Sequence, residues 1–189
     1  MNNDMPLFLR IMRLVLAIVP VRSVRRRLWY SAKNHVYGFQ ARRRGKVGRG
    51  VDFVGPTRVN RQTTIGDFSV ICGLCVPGDG AVTIGRNCHI APEVLILNQN
   101  HDYDDGVRIP YGDEFHEKPV RIDDFVWIGQ RVTILPGTTI GEGAIIQAGA
   151  VVHGTIPPMA IAGGNPARVF SNRNAVRFND MKSRGCYEK

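Results

Sequence analysis

From residue 47 onward the apolar positions fall six apart. Val47, Phe53, Val59, Ile65 and Ile71 open the series. The phase slips by one near Pro77–Gly78 and resumes at Ile84, Ile90 and Ile96. After a gap it returns as Ile122, Ile128, Ile134, Ile140, Ile146 and Val152. With Ile, Leu and Val at roughly a quarter of positions, six consecutive hits arise by chance about once in 4000. A second series sits four residues further on and is small or β-branched: Val51, Thr57, Thr63, Ser69, Cys75, Cys88, Val94, Val126, Val132, Thr138, Ala144 and Ala150. Gly often follows the aliphatic residue, as at Gly66, Gly85, Gly129 and Gly141.

A period of six fits neither an α-helix nor an amphipathic strand between ordinary hairpins. It predicts an all-β solenoid of short strands and tight corners, with three hexads, about 18 residues, in each triangular coil. The large residue points inward and stacks on its equivalents above and below. The small residue also faces in, where little room is left, and Gly supplies corner conformations. The count gives about five coils between residues 47 and 164. An ordinary β-sandwich would need this spacing by coincidence.

Upstream the pattern changes. Residues 7–33 alternate apolar stretches with arginines, and the longest run without charge is Leu14–Val21. That is well short of the ~20 residues a membrane-spanning helix needs. Arg25-Arg26-Arg27 stands where a secretory signal would carry a small-residue cleavage site. The expectation is one or two amphipathic helices broken near Pro20, with Val24, Leu28 and Ala32 on one face. Two readings stay open. The segment 1–45 attaches peripherally to an anionic membrane surface, or it docks on its own domain with a solvated basic face. The organisation is then a basic helical segment (1–46), a solenoid (47–164) with an extended loop (97–119), and a C-terminal helix or tail (165–189).

Charge sharpens this division. Residues 1–49 hold 12 Lys and Arg against one acid, Asp4, whereas residues 50–164 hold 7 basic and 13 acidic residues. The net charge of +9 therefore sits at the ends of the chain, not on its body. This argues against a nucleic-acid partner, as does the lack of any finger or basic-zipper spacing. Four cysteines, Cys72, Cys75, Cys88 and Cys186, are too few for a disulfide scaffold. Cys72 and Cys75 spell C-x-x-C without the second pair that zinc would want, so no metal is expected. The repeat phase turns Cys75 and Cys88 inward as small buried thiols. The setting expected is cytoplasmic, at the inner face of the membrane if the N-terminal segment binds lipid.

The gap in the hexads, about Leu97–Pro119, reads LNQNHDYDDGVRIPYGDEFHEKP. So long an insertion in a compact repeat usually carries function. It holds His101 and His116 among acids, and imidazole accepts a proton near neutral pH. Asp102, Asp104 and Asp105 are placed to orient that ring or to bind acceptor hydroxyls.

The hexads, the stretch VWIGQRVTILPGTTIGEGAIIQAGAVV, the closing GGNPARV and the loop-borne NQNHDY together resemble the hexapeptide-repeat acyltransferases, the maltose, galactoside and colanic-acid type of O-acetyltransferase. The resemblance covers roughly Val47 to Phe170. It implies a left-handed parallel β-helix, a homotrimer with active sites between neighbouring subunits, acetyl-CoA as acyl donor, and a hydroxyl acceptor such as a saccharide; the basic amphipathic N-terminus points to a lipid-linked or membrane-proximal one, as in cell-surface polysaccharide assembly. A short prism has little internal volume, so its outward apolar residues also want a partner.

By the same resemblance His101 is the catalytic base, with Asp102 and Asp104 toward the acceptor. Trp127, Gly129, Ala148, His153, Arg168 and Arg173 line the coenzyme groove. His153-Gly154 departs from the commoner Thr-Lys at this place, which leaves Arg168 and Arg173 to supply charge for the phosphates. Two other readings compete. A γ-class carbonic anhydrase would need closely spaced metal-binding His, whereas His89, His101 and His116 are scattered. A non-catalytic scaffold would lack the base and the groove.

Overall fold

The computed structural model describes residues 5–17 and 22–187. Two helices come first, α1 (Leu7–Ala17) and α2 (Arg22–Arg44). Pro20, where a break was expected, lies outside the described residues. Six coils follow. The first holds β1 (Lys46–Val47), β2 (Asp52–Phe53) and β3 (Thr57–Arg58). The second holds β4 (Thr63–Ile65), β5 (Val70–Ile71) and β6 (Leu74–Cys75). The third holds β7 (Val82–Ile84), β8 (His89–Ile90) and β9 (Val94–Ile96).

The insertion forms β10 (Gln99–His101) and β11 (Phe115–Glu117). The fourth coil is β12 (Val120–Ile122), β13 (Trp127–Ile128) and β14 (Thr133–Ile134), and the fifth is β15 (Thr139–Ile140), β16 (Ile145–Ile146) and β17 (Val151–Val152). The sixth has β18 (Thr155–Ile156) and β19 (Ala160–Gly164), after which β20 (Ala167–Asn172) and α3 (Ala175–Ser183) close the chain.

Corresponding strands stack in parallel as three faces. The first face is β1-β4-β7-β12-β15-β18. The second is β2-β5-β8-β13-β16-β19, with β20 added antiparallel, and the third is β3-β6-β9-β14-β17. The inward aliphatics Ile71, Ile90, Ile96, Ile128, Ile134 and Ile140 are fully buried. Burial of such a side chain contributes ~1.5–3 kcal/mol, which is why a two-residue strand is enough when its neighbours repeat it. Two inward polar residues are satisfied locally. The Ser69 hydroxyl donates to Gly85 O at 2.9 Å and accepts from the Cys88 amide at 3.0 Å, and Thr138 Oγ1 donates to Leu135 O at 2.6 Å.

Several expectations need correction. There are six coils rather than five, because the step from Val152 to Ile156 is four residues rather than six and the last turn falls out of the hexad count. The slip near Pro77 is two events. The step from Ile71 to Leu74 is one residue shorter than that from Phe53 to Thr57, and the corner after Cys75 is longer, which restores Thr63 opposite Val82. Leu74 and Val76 therefore take the inward places. Cys75 is only half-buried, whereas Cys88 is buried as expected.

The glycines after the aliphatics are not there for left-handed backbone. A Cβ on Gly66 would stand 2.6 Å from the Arg86 amide nitrogen, and one on Gly129 2.5 Å from that of Ala148. Close approach of successive coils is what demands them. Left-handed φ values fall instead on Phe68, Asn87, Glu93, Phe125, Arg131 and Met159, and on other glycines such as Gly137, Gly143 and Gly149.

Both ends of the prism are covered. The C-terminal half of α2 lies over the first coil. Ala41 is buried, a Cβ on Gly38 would meet the Phe53 ring at 2.8 Å, and Arg42 donates to Val51 O at 2.8 Å. The Asn34 side chain donates to the Asp52 carboxylate at 2.6 Å and accepts from the Phe53 amide at 3.2 Å. At the other end β19 turns through Asn165–Pro166 into β20. Helix α3, capped by Asn174, packs Phe178 edge-on against Phe125. On α1, Leu9 and Leu16 are buried while Leu7, Phe8, Ile11, Leu14 and Val15 are exposed. No helix among the described residues is long and apolar enough to cross a membrane.

Candidate active site

The insertion is a two-stranded hairpin, not an irregular loop. It leaves the third face after β9 and rejoins the first at β12, pairing Asn100 with His116 and His101 with Phe115. Nothing apolar alternates along QNH or FHE, so its strands carry no hexad-like signal. The His101 ring stacks on Tyr111, with centroids 3.9 Å apart and planes inclined by 26°, and leans on Phe115 at 4.2 Å. Two rings thus fix the imidazole plane. Its Nδ1 is buried and makes no hydrogen bond within the described chain. An unsatisfied buried polar atom costs about 1–3 kcal/mol, so a donor or acceptor reaching this nitrogen would be favoured.

Asp102 faces His116 rather than His101. Its carboxylate lies 3.3 Å from His116 Nε2 and accepts the Asp105 amide at 3.0 Å. The Asp105 amide and then the imidazole hold its carboxyl below the usual range, against the opposing effect of burial. Its backbone closes the hairpin through Glu114 O and the Gly112 amide. Asp102 thereby braces the fold of the arm beside His101. Asp104 is exposed near it, on the wall of a small cleft with Asn100, Asp102, His116 and Lys118.

Trp127 stands outward on the second face, stacked in register between His89 and Ile145, and is 51% exposed. With Phe125, Arg173, Phe178 and Lys182 it lines a groove of about 470 Å³ under α3. Gly129 and Ala148 lie beside it on adjacent coils, their backbones touching. Arg173 is committed: it donates to Gly143 O at 3.1 Å and covers the Phe178 ring at 5.2 Å, and burial lowers its pKa from the ordinary value. Arg168 is exposed on β20, and His153 is exposed at the corner after β17. The residues read from the sequence as one coenzyme groove do not all meet: Trp127 and Arg173 line it, Gly129, Ala148 and Arg168 lie outside its lining, and His153 sits at a corner between the third and first faces, on the same edge as the hairpin. The hairpin springs from the edge between the third and first faces, and in a triangular prism that edge is opposite the face bearing Trp127. The groove wall contributed by α3, through Phe178 and Lys182, carried no motif and was not foreseen.

A model of the bacterial transferase hexapeptide family, of six repeats, matches residues 119–154. A solved hexapeptide-repeat-containing acetyltransferase from Vibrio cholerae superposes with a TM-score of 0.64 at 27% identity, covering 87% of this chain and 88% of that one. The chain carries hexapeptide repeats and is similar in sequence and fold to hexapeptide-repeat acetyltransferases. A galactoside acetyltransferase solved in complex with coenzyme A is another structural relative, with a TM-score of 0.58 and 28% identity over 95% of this chain and 87% of that one. In sequence, galactoside O-acetyltransferase from Escherichia coli K12 is 40% identical over 108 residues, 57% of this chain and 52% of that protein. An E. coli K12 protein named for O-acetyl transfer in lipopolysaccharide biosynthesis is 39% identical over 101 residues, 50% of this chain and 52% of that protein. The hexapeptide-repeat chain spans about half the length of the curated relatives it matches.

Proposed function

We propose that this hexapeptide-repeat protein moves the acetyl group of acetyl-CoA to a hydroxyl of a saccharide, and that His101 is the general base. The observation that carries the reading is His101 itself, held against two rings on the outer rung of a hairpin that interrupts an otherwise unbroken solenoid. The acceptor hydroxyl gives its proton to the imidazole as its oxygen attacks the thioester carbon. The tetrahedral intermediate collapses by breaking the carbon–sulfur bond, and the imidazolium returns the proton to the departing thiolate. The chain need supply only alignment and a proton acceptor, so no metal enters the scheme.

The coenzyme arm lies against Trp127, Gly129 and Ala148. A single prism separates that groove from its own His101, so a complete site takes His101 from one subunit and Trp127 from the next in a homotrimer. Val107 and Ile109, apolar residues at the hairpin tip and 96% and 95% exposed, support a subunit neighbour there. On α1 one stripe is buried, the opposite apolar stripe is open, and α1 and α2 carry arginines with no acid; this supports attachment to an anionic membrane surface at the cytoplasmic side.

The decisive experiment measures coenzyme A release from acetyl-CoA against a panel of nucleotide sugars, free sugars and lipid-linked saccharides. Turnover with a hydroxyl-bearing saccharide is expected, and its absence throughout the panel overturns the reading. Sedimentation equilibrium should give about three times the 21.0 kDa chain mass; a monomer at micromolar concentration removes the shared site.

A further inference from the structure

A second cleft, of about 980 Å³, opens between the end of α2 and the corner joining the first and second coils. Arg43 and Arg44 line it from the helix, and Arg58 and Arg61 from the solenoid. Asp79 is the single carboxylate among its lining residues. None of the four arginines takes part in an ion pair among the described residues, although seven of the eight ion pairs found there use an Arg or Lys. Arg43 is merely stacked on Phe39 at 5.5 Å. Four guanidinium groups lining one cleft with a single carboxylate among them repel one another, and a bound anion relieves that repulsion.

The cleft is joined to the catalytic arm. Its floor is the lengthened corner after Cys75. There the Asn60 side chain donates to Gly78 O at 2.6 Å and Gly80 O at 2.8 Å, and Gln62 donates to Asp79 O at 2.8 Å. The Asp79 amide in turn donates to Gln99 Oε1 at 2.8 Å. Asn98 reaches the same carbonyls of Gly78 and Gly80. Gln99 begins the strand that bears His101 two residues later. A regular corner would leave this ring of hydrogen bonds unmade, so the insertion that lengthens the corner also ties the arginine cleft to the hairpin.

We propose that this cleft holds the diphosphate of the acetyl acceptor, so that the acceptor is a saccharide linked through a diphosphate. The proposal rests on the acetyl-transfer reading above for its meaning, not for its test. Guanidinium forks match phosphate oxygens bidentately. Four of them against one carboxylate leave three positive charges, more than a single phosphate diester would balance and suited to a diphosphate. A diphosphate anchored in this cleft ties the attached sugar to the same corner that positions the hairpin.

The test titrates the full-length chain with inorganic pyrophosphate while coenzyme A is saturating, which fills any phosphate site belonging to the donor. Saturable binding is expected, weakened at least about tenfold in Arg58→Gln/Arg61→Gln and unchanged in Arg121→Gln. Equal melting temperatures and equal coenzyme A affinity establish that the double variant is folded. No saturable pyrophosphate binding, or equal binding by wild type and double variant, overturns the proposal. Two further arms name the source, with UDP-glucose as a soluble ligand and phosphatidylcholine vesicles doped with a polyprenyl diphosphate as a lipid one. Loss of binding in the double variant identifies whichever arm the cleft serves. If coenzyme A itself fails to bind, the acetyl-transfer reading falls while the pyrophosphate result still decides the cleft.

Discussion

The solenoid and the hairpin that interrupts it are held together by opposite means. In the coils, order comes from repetition: one buried aliphatic per rung, each stacked on its copies, with polar side chains used only to satisfy corners. In the hairpin no residue larger than Asp102 is buried, and the shape depends on ring stacking, an Asp–His pair and backbone turns. A change in a coil is therefore felt by the whole stack. A change in the arm is felt by a single imidazole. The proposed base sits where the fold has least to lose.

The contrast breaks most sharply at the core. Ile128→Asp places an unpaired carboxylate in a fully buried row, a change of the class that costs more than ~4 kcal/mol. Circular dichroism should show loss of the cooperative β signal. A folded, thermally stable variant would mean that the rungs act independently.

His101→Ala is the converse. It should lower kcat by about 10²–10⁴ while the melting temperature stays within a degree or two and coenzyme A affinity within a few-fold. Near-normal turnover by this folded variant would exclude His101 as the base.

Gly66→Ala tests the coils away from any groove. Its Cβ would press on the Arg86 amide nitrogen at 2.6 Å, so about 1–3 kcal/mol of stability should be lost to overpacking, with kcat unaltered.

Asp102→Ala sits between the extremes. Releasing His116 and the Asp105 amide should loosen the arm, with a several-fold fall in kcat and no change in the solenoid's unfolding. The same contact predicts a pH response. A carboxyl held below its ordinary value stabilises the folded arm above about pH 4. That stabilisation fades as the pH drops through the lowered value. Acid should therefore speed amide exchange in residues 99–117 before it affects the coils, and equal exchange in both would refute the division. The smallest effect is chemical. Cys88, buried and with its thiol pushed up to about 12, should resist alkylation at pH 8 while exposed Cys186 reacts, as mass spectrometry of labelled peptides would show.

The coils were readable in the sequence because stacking imposes one residue type at one spacing. Ile122 through Ile146 could hardly be anything else. Legibility failed where spacing changed, at the shortened turn before Ile156 and at the paired deletion and insertion around Cys75. It also failed where no burial pattern exists, as in the hairpin strands. The resemblance of the loop motif singled out His101 as a candidate, but its stacking on Tyr111 and Phe115 was not legible. The Asp102–His116 pair was out of reach, since which carboxylate meets which imidazole depends on a strand register that polar residues do not announce. The arginine cleft was equally hidden, because its members come from two segments that meet only when α2 docks on the first coil.

That docking has a consequence for solubility. A parallel stack of rungs is open-ended by geometry: the exposed backbone edge of a terminal coil offers the same hydrogen-bonding row as any interior one, and another chain could continue it indefinitely. Here Ala41 and Gly38 of α2 seat on Phe53 at one end, while β20 folds back on β19 at the other, antiparallel and therefore out of phase with any incoming parallel coil. The two covers turn a structure that could grow as a filament into a particle of fixed length. Loosening either would be expected to show first as fibre formation rather than as lost activity.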